Sequence, residues 1–218
     1  LVYMRKTIVP SLLQAIKENQ NRDEIKLFEL ANTYVPAKND LPKETLMLAG
    51  VIYKNNVSFF EGKGIIEQLL IDLGIKKYKF NEPEKGGVGA SIYIGSDRIG
   101  EIELLDDKTL DFELNFEILL KHANSKKHYK GIFKYPPVIE DIALIIDPKI
   151  KTGRIIEEIK KQSGLIKEIT LLDTFKDSRT FHIIYQDPSK NLSAEEIASV
   201  RKKIIKNLEA QFNAELKK

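Results

Sequence analysis

The chain has 218 residues, 42% of them hydrophobic and 31% charged, with a formal net charge of +3 and no cysteine. This length suits one large domain or two small ones, and the composition is that of a soluble globular protein. It excludes disulfides, thiolate metal sites, an apolar run of the roughly 18–20 residues a membrane helix needs, and any bulk electrostatic pull on nucleic acid.

The lack of cysteine is compatible with a reducing cytosol and does not by itself prove one. No signal peptide is visible, and Leu1 in place of Met marks the chain as an expected fragment. Pro10 suits a first helical turn, and Leu12, Leu13 and Ile16 then share a face. The polar run 18–23 ends that pattern. Residues 25–30 read as a strand, 36–42 as a polar loop and 46–53 as a buried strand. Residues 59–73 predict a helix with Ile65, Ile66, Leu69, Leu70 and Leu73 on one face and Gly74 as its stop. Residues 91–94 and 98–104 predict a hairpin turning on Gly95-Ser96-Asp97. Alternating Leu110, Phe112, Leu114 and Phe116 predict another half-buried strand.

The polar, basic stretch 121–134, followed by Pro136-Pro137, marks a boundary between a first domain over 1–125 and a second over 131–218. In the second, 141–147 reads as a strand stopped by Pro148. Thr152 is placed to cap a helix carrying Ile155, Ile156 and Ile159, closed by Gly164. Residues 166–175 and 180–186 read as strands joined tightly through 176–178. Ser193-Ala194-Glu195-Glu196 has the form of a capping box, and Leu192 and Ile197 have the spacing of a hydrophobic staple. Val200, Ile204, Leu208 and Phe212 extend that helix, and 214–216 predict a last edge strand. The order β-α-β-β-α-β is the ferredoxin-like split unit, with two helices on one face of an antiparallel sheet and the other face free.

Three runs in the second domain resemble, in order and spacing, a ferredoxin-like anticodon-binding domain. They are Phe133-Lys134-Tyr135-Pro136-Pro137-Val138 with the strand 141–146, then Leu172-Asp173-Thr174-Phe175, then Tyr185-Gln186-Asp187-Pro188 leading to Ser193-Ala194-Glu195-Glu196. Upstream, Met4-Arg5-Lys6-Thr7-Ile8-Val9-Pro10, Asn19-Gln20-Asn21-Arg22, Lys26-Leu27-Phe28-Glu29 and Phe59-Phe60-Glu61-Gly62-Lys63-Gly64 are similar to the C-terminal part of bacterial phenylalanyl-tRNA synthetase β subunits. The resemblance covers nearly the whole chain, more loosely over 78–120. It implies an α+β fold. A class II synthetase-like antiparallel α+β domain over 1–125, truncated at its start and lacking catalytic residues, precedes a ferredoxin-like βαββαβ domain over 131–218. It further implies a part of phenylalanine–tRNA ligase that supports the catalytic α subunit in an α2β2 heterotetramer and binds phenylalanine tRNA. ATP and Mg²⁺ belong to the full complex, and no cofactor is expected in this fragment.

Carried over by motif, the resemblance implies anticodon contacts at Ala143, Asp173 and Phe175. A small side chain admits a base to the backbone, a carboxylate accepts from a guanine edge, and a ring stacks on a base. Read without the resemblance, Phe175 is a core residue at a strand end and Asp173 a solvated turn residue. Lys134, Lys176 and Arg179 are candidate phosphate contacts by charge and position, while Arg201-Lys202-Lys203 and Lys206 read as a solvated helix face. Three departures stand out, one of them Glu82-Pro83-Glu84 in place of the family's histidine–proline segment before the hairpin. Glu140 occupies a position where the family usually has arginine, and the connection from 175 to 181 is short, which predicts a reduced rim.

No catalytic constellation is visible. His122, His128 and His182 lack metal-ligand spacing, and His182 reads as a structural residue in a strand. Lys85-Gly86-Gly87-Val88-Gly89 lacks a P-loop ending and reads as a turn. Arg5 looks like a remnant of a class II motif. The sequence therefore assigns no catalytic residue and no metal site to this chain. A stand-alone RNA-binding or regulatory module built from the same parts is the alternative.

Overall fold

Pro10 sets the first turn of helix α1 (Val9–Glu18), whose Leu12 and Ile16 are buried while Leu13 is partly so. Its N-terminus is held from a distance: Glu113 Oε1 accepts the Ile8 N–H at 2.7 Å and places negative charge where the helix dipole favours it. The structure is a computed structural model that describes residues 4–38, 40–84, 86–126, 131 and 133–217. They divide into two compact units, within 1–128 and 129–218.

In the first unit, β1 (Glu24–Val35), β2 (Lys43–Lys54), β3 (Tyr78–Asn81), β4 (Val88–Ile94), β5 (Asp97–Leu104) and β6 (Thr109–Asn115) form one antiparallel sheet. Its order is β1-β2-β6-β5-β4-β3. Helix α1 packs Ile8, Leu12 and Ile16 against Ile25, Ala49 and Val51 on one face. Helices α2 (Phe59–Asp72) and α3 (Phe116–His122) bring Ile66, Leu70 and Leu119 to Ile52, Ile92, Ile102, Leu110 and Leu114 on the other. Ser58 caps α2 by accepting the Glu61 N–H at 3.2 Å. Gly74, at φ +73°, closes it in a Schellman turn, in which Ile75 N–H reaches Leu70 O at 2.8 Å.

Two elements differ from expectation. The alternation through Phe116 ends at Asn115, whose side-chain oxygen accepts the Ile118 N–H at 3.0 Å and starts α3. The short strand β3 escapes the sequence pattern; there the Tyr78 and Phe80 rings meet edge to face at 5.9 Å. Of the glycine-rich run, Gly86 and Gly87 fall in the β3–β4 connection while Val88 and Gly89 open β4; Lys85 lies outside the described residues, as does His128.

The α1 side of β5 and β6 carries like charges directly opposite one another, Glu101 against Glu113 and Glu103 against Asp111. Burial, then Glu103, Glu101 and Glu113, push the Asp111 carboxyl from its ordinary 3.8 up to about 7. Between those values the folded chain holds a proton that the unfolded chain has released. Stability therefore falls as pH rises through this range, and the full penalty is present above it. Asp111→Asn is expected to raise stability by about 1–2 kcal/mol at alkaline pH, a figure reduced for solvent screening, and by nearly nothing in acid. Urea unfolding midpoints of parent and variant at both pH values check this.

The second unit runs β7 (Val138–Ile145), α4 (Thr152–Lys161), β8 (Ile166–Phe175), β9 (Ser178–Tyr185), α5 (Ala194–Phe212) and β10 (Glu215–Leu216). The sheet order β10-β7-β9-β8, antiparallel throughout, is that of the ferredoxin-like unit. Ile155 and Ile159 of α4 and Ile197, Val200, Ile204 and Leu208 of α5 pack on Ile142, Leu144, Phe181, Ile183 and Tyr185. Each such burial contributes about 1.5–3 kcal/mol.

The expected capping box is complete: Glu196 N–H donates to Ser193 Oγ at 3.3 Å, and Ser193 N–H to Glu196 Oε2 at 3.0 Å. Leu192 and Ile197 both join the core. Asn213 ends α5 in the left-handed conformation at φ +49°, which asparagine tolerates. One cap is displaced. Helix α4 begins at Thr152 itself, with Lys151 in the cap position, so the Thr152 hydroxyl is not the cap.

Candidate nucleic-acid interface

In the second unit, side chains alternate across each strand, so one face of the sheet meets the helices and the other stays bare. On β7, Ile142 and Leu144 point to the helices and Ala143 to the bare face. On β9, Phe181, Ile183 and Tyr185 point to the helices, leaving Thr180, His182 and Ile184 on the bare face.

Strand β8 reaches the same arrangement through an irregularity. Ile169 pairs with Ile183 and Leu171 with Phe181, both on the helix side. Simple alternation would then carry Asp173 and Phe175 toward the helices as well. A bulge between Leu171 and Asp173 inserts Leu172 and reverses the parity. Asp173 now pairs with Thr180, which itself pairs with Ala143, and Phe175 pairs with Ser178. Ala143, Thr180 and Asp173 therefore form one row across the bare face, and Ile145, Ser178 and Phe175 form the next.

Phe175 is 63% exposed, and Lys176 Nζ stands 5.4 Å from the centre of its ring. Thr174 N–H donates to Asp173 Oδ1 at 2.7 Å, which holds that carboxylate in place. Strands β8 and β9 are joined by Lys176 and Asp177 alone, with Lys176 at φ +55°. Lys134 is exposed, its Nζ lying 5.8 Å from the Tyr135 ring centre.

Arg179 does not belong with these cations. It shares strand parity with Phe181 and is only 6% exposed. Its guanidinium donates to Ile150 O at 2.5 Å, Pro148 O at 2.8 Å and Asp147 O at 3.4 Å. Those bonds pin the β7–α4 connection, so the arginine is not available to a phosphate. Glu140 likewise lies on the helix side, where it pairs with Arg201 of α5 and accepts from the Tyr185 hydroxyl at 3.4 Å. It therefore places no uncompensated anion on the bare face. Arg201 in turn is a structural partner of the sheet, while Lys202, Lys203 and Lys206 are exposed.

Residue-type reasoning passed over Thr180, which sits between Ala143 and Asp173. The signal was its shared parity with His182 and Ile184. His182 Nδ1 lies 2.6 Å from Asp141 Oδ1 on the bare face. In the first unit, His122 Nε2 and Lys121 Nζ both meet Asp97 Oδ2, at 2.9 and 3.0 Å. Arg5 pairs with Glu29 at 2.7 Å. Among the described residues, no group of three or more His, Asp or Glu side chains is placed to hold a metal.

Residues 1–117 match the family model described as phenylalanyl tRNA synthetase beta chain CLM domain. The chain belongs to that family. Residues 134–217 match a second model, the ferredoxin-fold anticodon binding domain, which coincides with the βαββαβ unit. Among curated relatives, the phenylalanine–tRNA ligase beta subunit of Clostridium tetani is 29% identical over 98% of this chain and 30% of its own length. That of Bacillus subtilis is 31% identical over 98% of this chain and 31% of its own. The chain thus spans about 30% of the length of the relatives it matches. A solved structure of Desulfitobacterium hafniense PylSc, a pyrrolysyl tRNA synthetase, is similar at a TM-score of 0.43 and 16% identity, covering 56% of this chain and 52% of that one.

Proposed function

We propose that the chain is a part of the β subunit of phenylalanine–tRNA ligase and that the bare face of its second unit takes the anticodon of phenylalanine tRNA. The observation that carries this reading is the exposed Phe175 ring, on the same sheet face as Ala143 and Asp173, within the segment that matches an anticodon-binding family. A ring of this kind stacks on an unpaired base, worth about 1–3 kcal/mol. Asp173 accepts from the amino and imino groups of a guanine edge, and Ala143 leaves the base room to approach the strand. Lys134 and Lys176 are the cations proposed to meet phosphate oxygens.

The domains proposed are 1–125, a class II-like support without catalytic residues, and 131–218, the anticodon module. The first packs on the catalytic α subunit of an α2β2 assembly in the cytoplasm, and ATP and Mg²⁺ bind in that assembly. What supports this division is the split of the chain into two compact units, each with its own family match, over 1–117 and 134–217.

In titrations of a phenylalanine-tRNA anticodon stem-loop with the whole chain, affinity is expected to be weak and to fall with salt. Phe175→Ala is expected to weaken it about ten-fold or more. Equal binding by variant and parent would overturn the stacking role. Capture of the α subunit by the same chain supports the assembly; RNA binding without capture favours a stand-alone module.

A further inference from the structure

We propose that His182 is a further nucleotide-reading residue of the bare face, its Nε2 engaging the base next to the one held by Phe175 and Asp173. This rests on the anticodon reading above and extends it to a second base. Asp141 and Thr170 are the cross-strand neighbours of His182 on the bare face. Among the described residues the ring has one hydrogen-bond partner, Asp141 Oδ1, at 2.6 Å from Nδ1.

A carboxylate accepts and does not donate, so Nδ1 carries the proton in that bond. In the neutral form of the ring that leaves Nε2 as a lone-pair acceptor. Asp141 is thus a positioning residue that fixes both the plane and the tautomer of the imidazole. The row Asp141–His182–Thr170 lies two residues along β7 and β9, and three along the bulged β8, from the row Ala143–Thr180–Asp173, about 7 Å away. Beyond it, Ile139, Ile184 and Glu168 make the next row, in which the largely exposed Ile139 offers a base an apolar contact. An unpaired strand that lays one base on Phe175 and Asp173 brings its neighbour over His182. There Nε2 accepts from an amino or ring N–H of that base. A purely structural histidine would need no such alignment, and a solvent-facing His–Asp pair contributes little to stability.

The test uses the whole chain and phenylalanine-tRNA anticodon stem-loops in which each anticodon base in turn is replaced by purine riboside, which offers no N–H donor on its pairing edge. His182→Ala is expected to weaken binding of the unmodified stem-loop about five- to ten-fold while leaving the thermal midpoint nearly unchanged. One base replacement should cost the parent a similar factor and cost His182→Ala nothing, the signature of a direct contact. Addition of the unmodified stem-loop should also shift the Nε2 resonance of His182 in the parent. Parent-like binding by His182→Ala, with Phe175→Ala weakened, overturns this proposal and leaves the anticodon reading standing. If neither variant loses affinity, the anticodon reading fails and this proposal falls with it.

Discussion

Arg179→Met is expected to lower the stability of the second unit by about 2–4 kcal/mol and to leave the RNA affinity of the folded chain unchanged. The guanidinium is almost wholly buried and donates to three main-chain carbonyls of the segment between β7 and α4. Hydrogen bonds from a charged donor are each worth about 1.5–3 kcal/mol, and methionine keeps the side-chain length while supplying none of them. Water can reach part of the exposed 147–149 turn and recover some of the loss, which holds the figure below the sum of three bonds. Arg179→Lys should fall between parent and Met, because one ammonium cannot match a planar fork aimed at three oxygens. Urea unfolding followed by circular dichroism measures the first quantity, and stem-loop titration the second. A phosphate contact gives the opposite pair of results, unchanged stability and a shallower salt dependence of binding. The two roles are therefore separable in one variant.

The misplacement of Arg179 shows what a sequence of this kind makes legible. Its charge and its position beside the tight β8–β9 connection suggested solvent. Its parity with Phe181, Ile183 and Tyr185 pointed the other way, and parity won because the sheet has one buried face. The same rule, applied to Glu140 with Ile142 and Leu144, would have placed that residue toward Arg201. The order of elements, the capping box at Ser193 and the apolar stripes of α4 and α5 were legible because each is a local pattern with a local physical cause.

The bulge at Leu172 was not legible. Nothing in Thr170-Leu171-Leu172-Asp173 announces an extra residue, yet that residue decides which face Asp173 and Phe175 occupy. A spacing of two residues says only that the two side chains share one side of an extended strand. Residue 116 failed for a related reason. A phenylalanine that fits a strand alternation also fits the first turn of a helix, and the deciding group was the Asn115 side chain on the Ile118 amide. The α1 N-terminus was out of reach altogether, since its partner Glu113 lies 105 residues along the chain.

Gly100→Ala is expected to cost the first unit about 3–5 kcal/mol, enough to unfold much of it, whereas Gly64→Ala should stabilise the same unit by about 0.5–1 kcal/mol. The two substitutions add the same methyl group. At Gly100, in β5 between β4 and β6, a Cβ would stand 2.0 Å from Glu113 O and 2.9 Å from Leu114 Cα. Those are main-chain atoms of the neighbouring strand, held by the ladder, and they cannot rotate aside as a side chain does. Relief requires β5 and β6 to separate, which breaks hydrogen bonds on both sides of Leu114 and opens the layer of Ile102, Leu110 and Phe112. At Gly64, exposed on α2, nothing lies within 4 Å of the added carbon, and the gain comes from the smaller entropy an alanine loses on entering a helix. Amide spectra of both variants resolve the outcome by unit. Gly100→Ala should lose the dispersed signals of β5 and β6 while those of β7 and β9 persist, because the second unit has a core of its own. A Gly100→Ala chain that melts with the parent would mean that β5 does not approach β6 as closely as the register of the sheet demands.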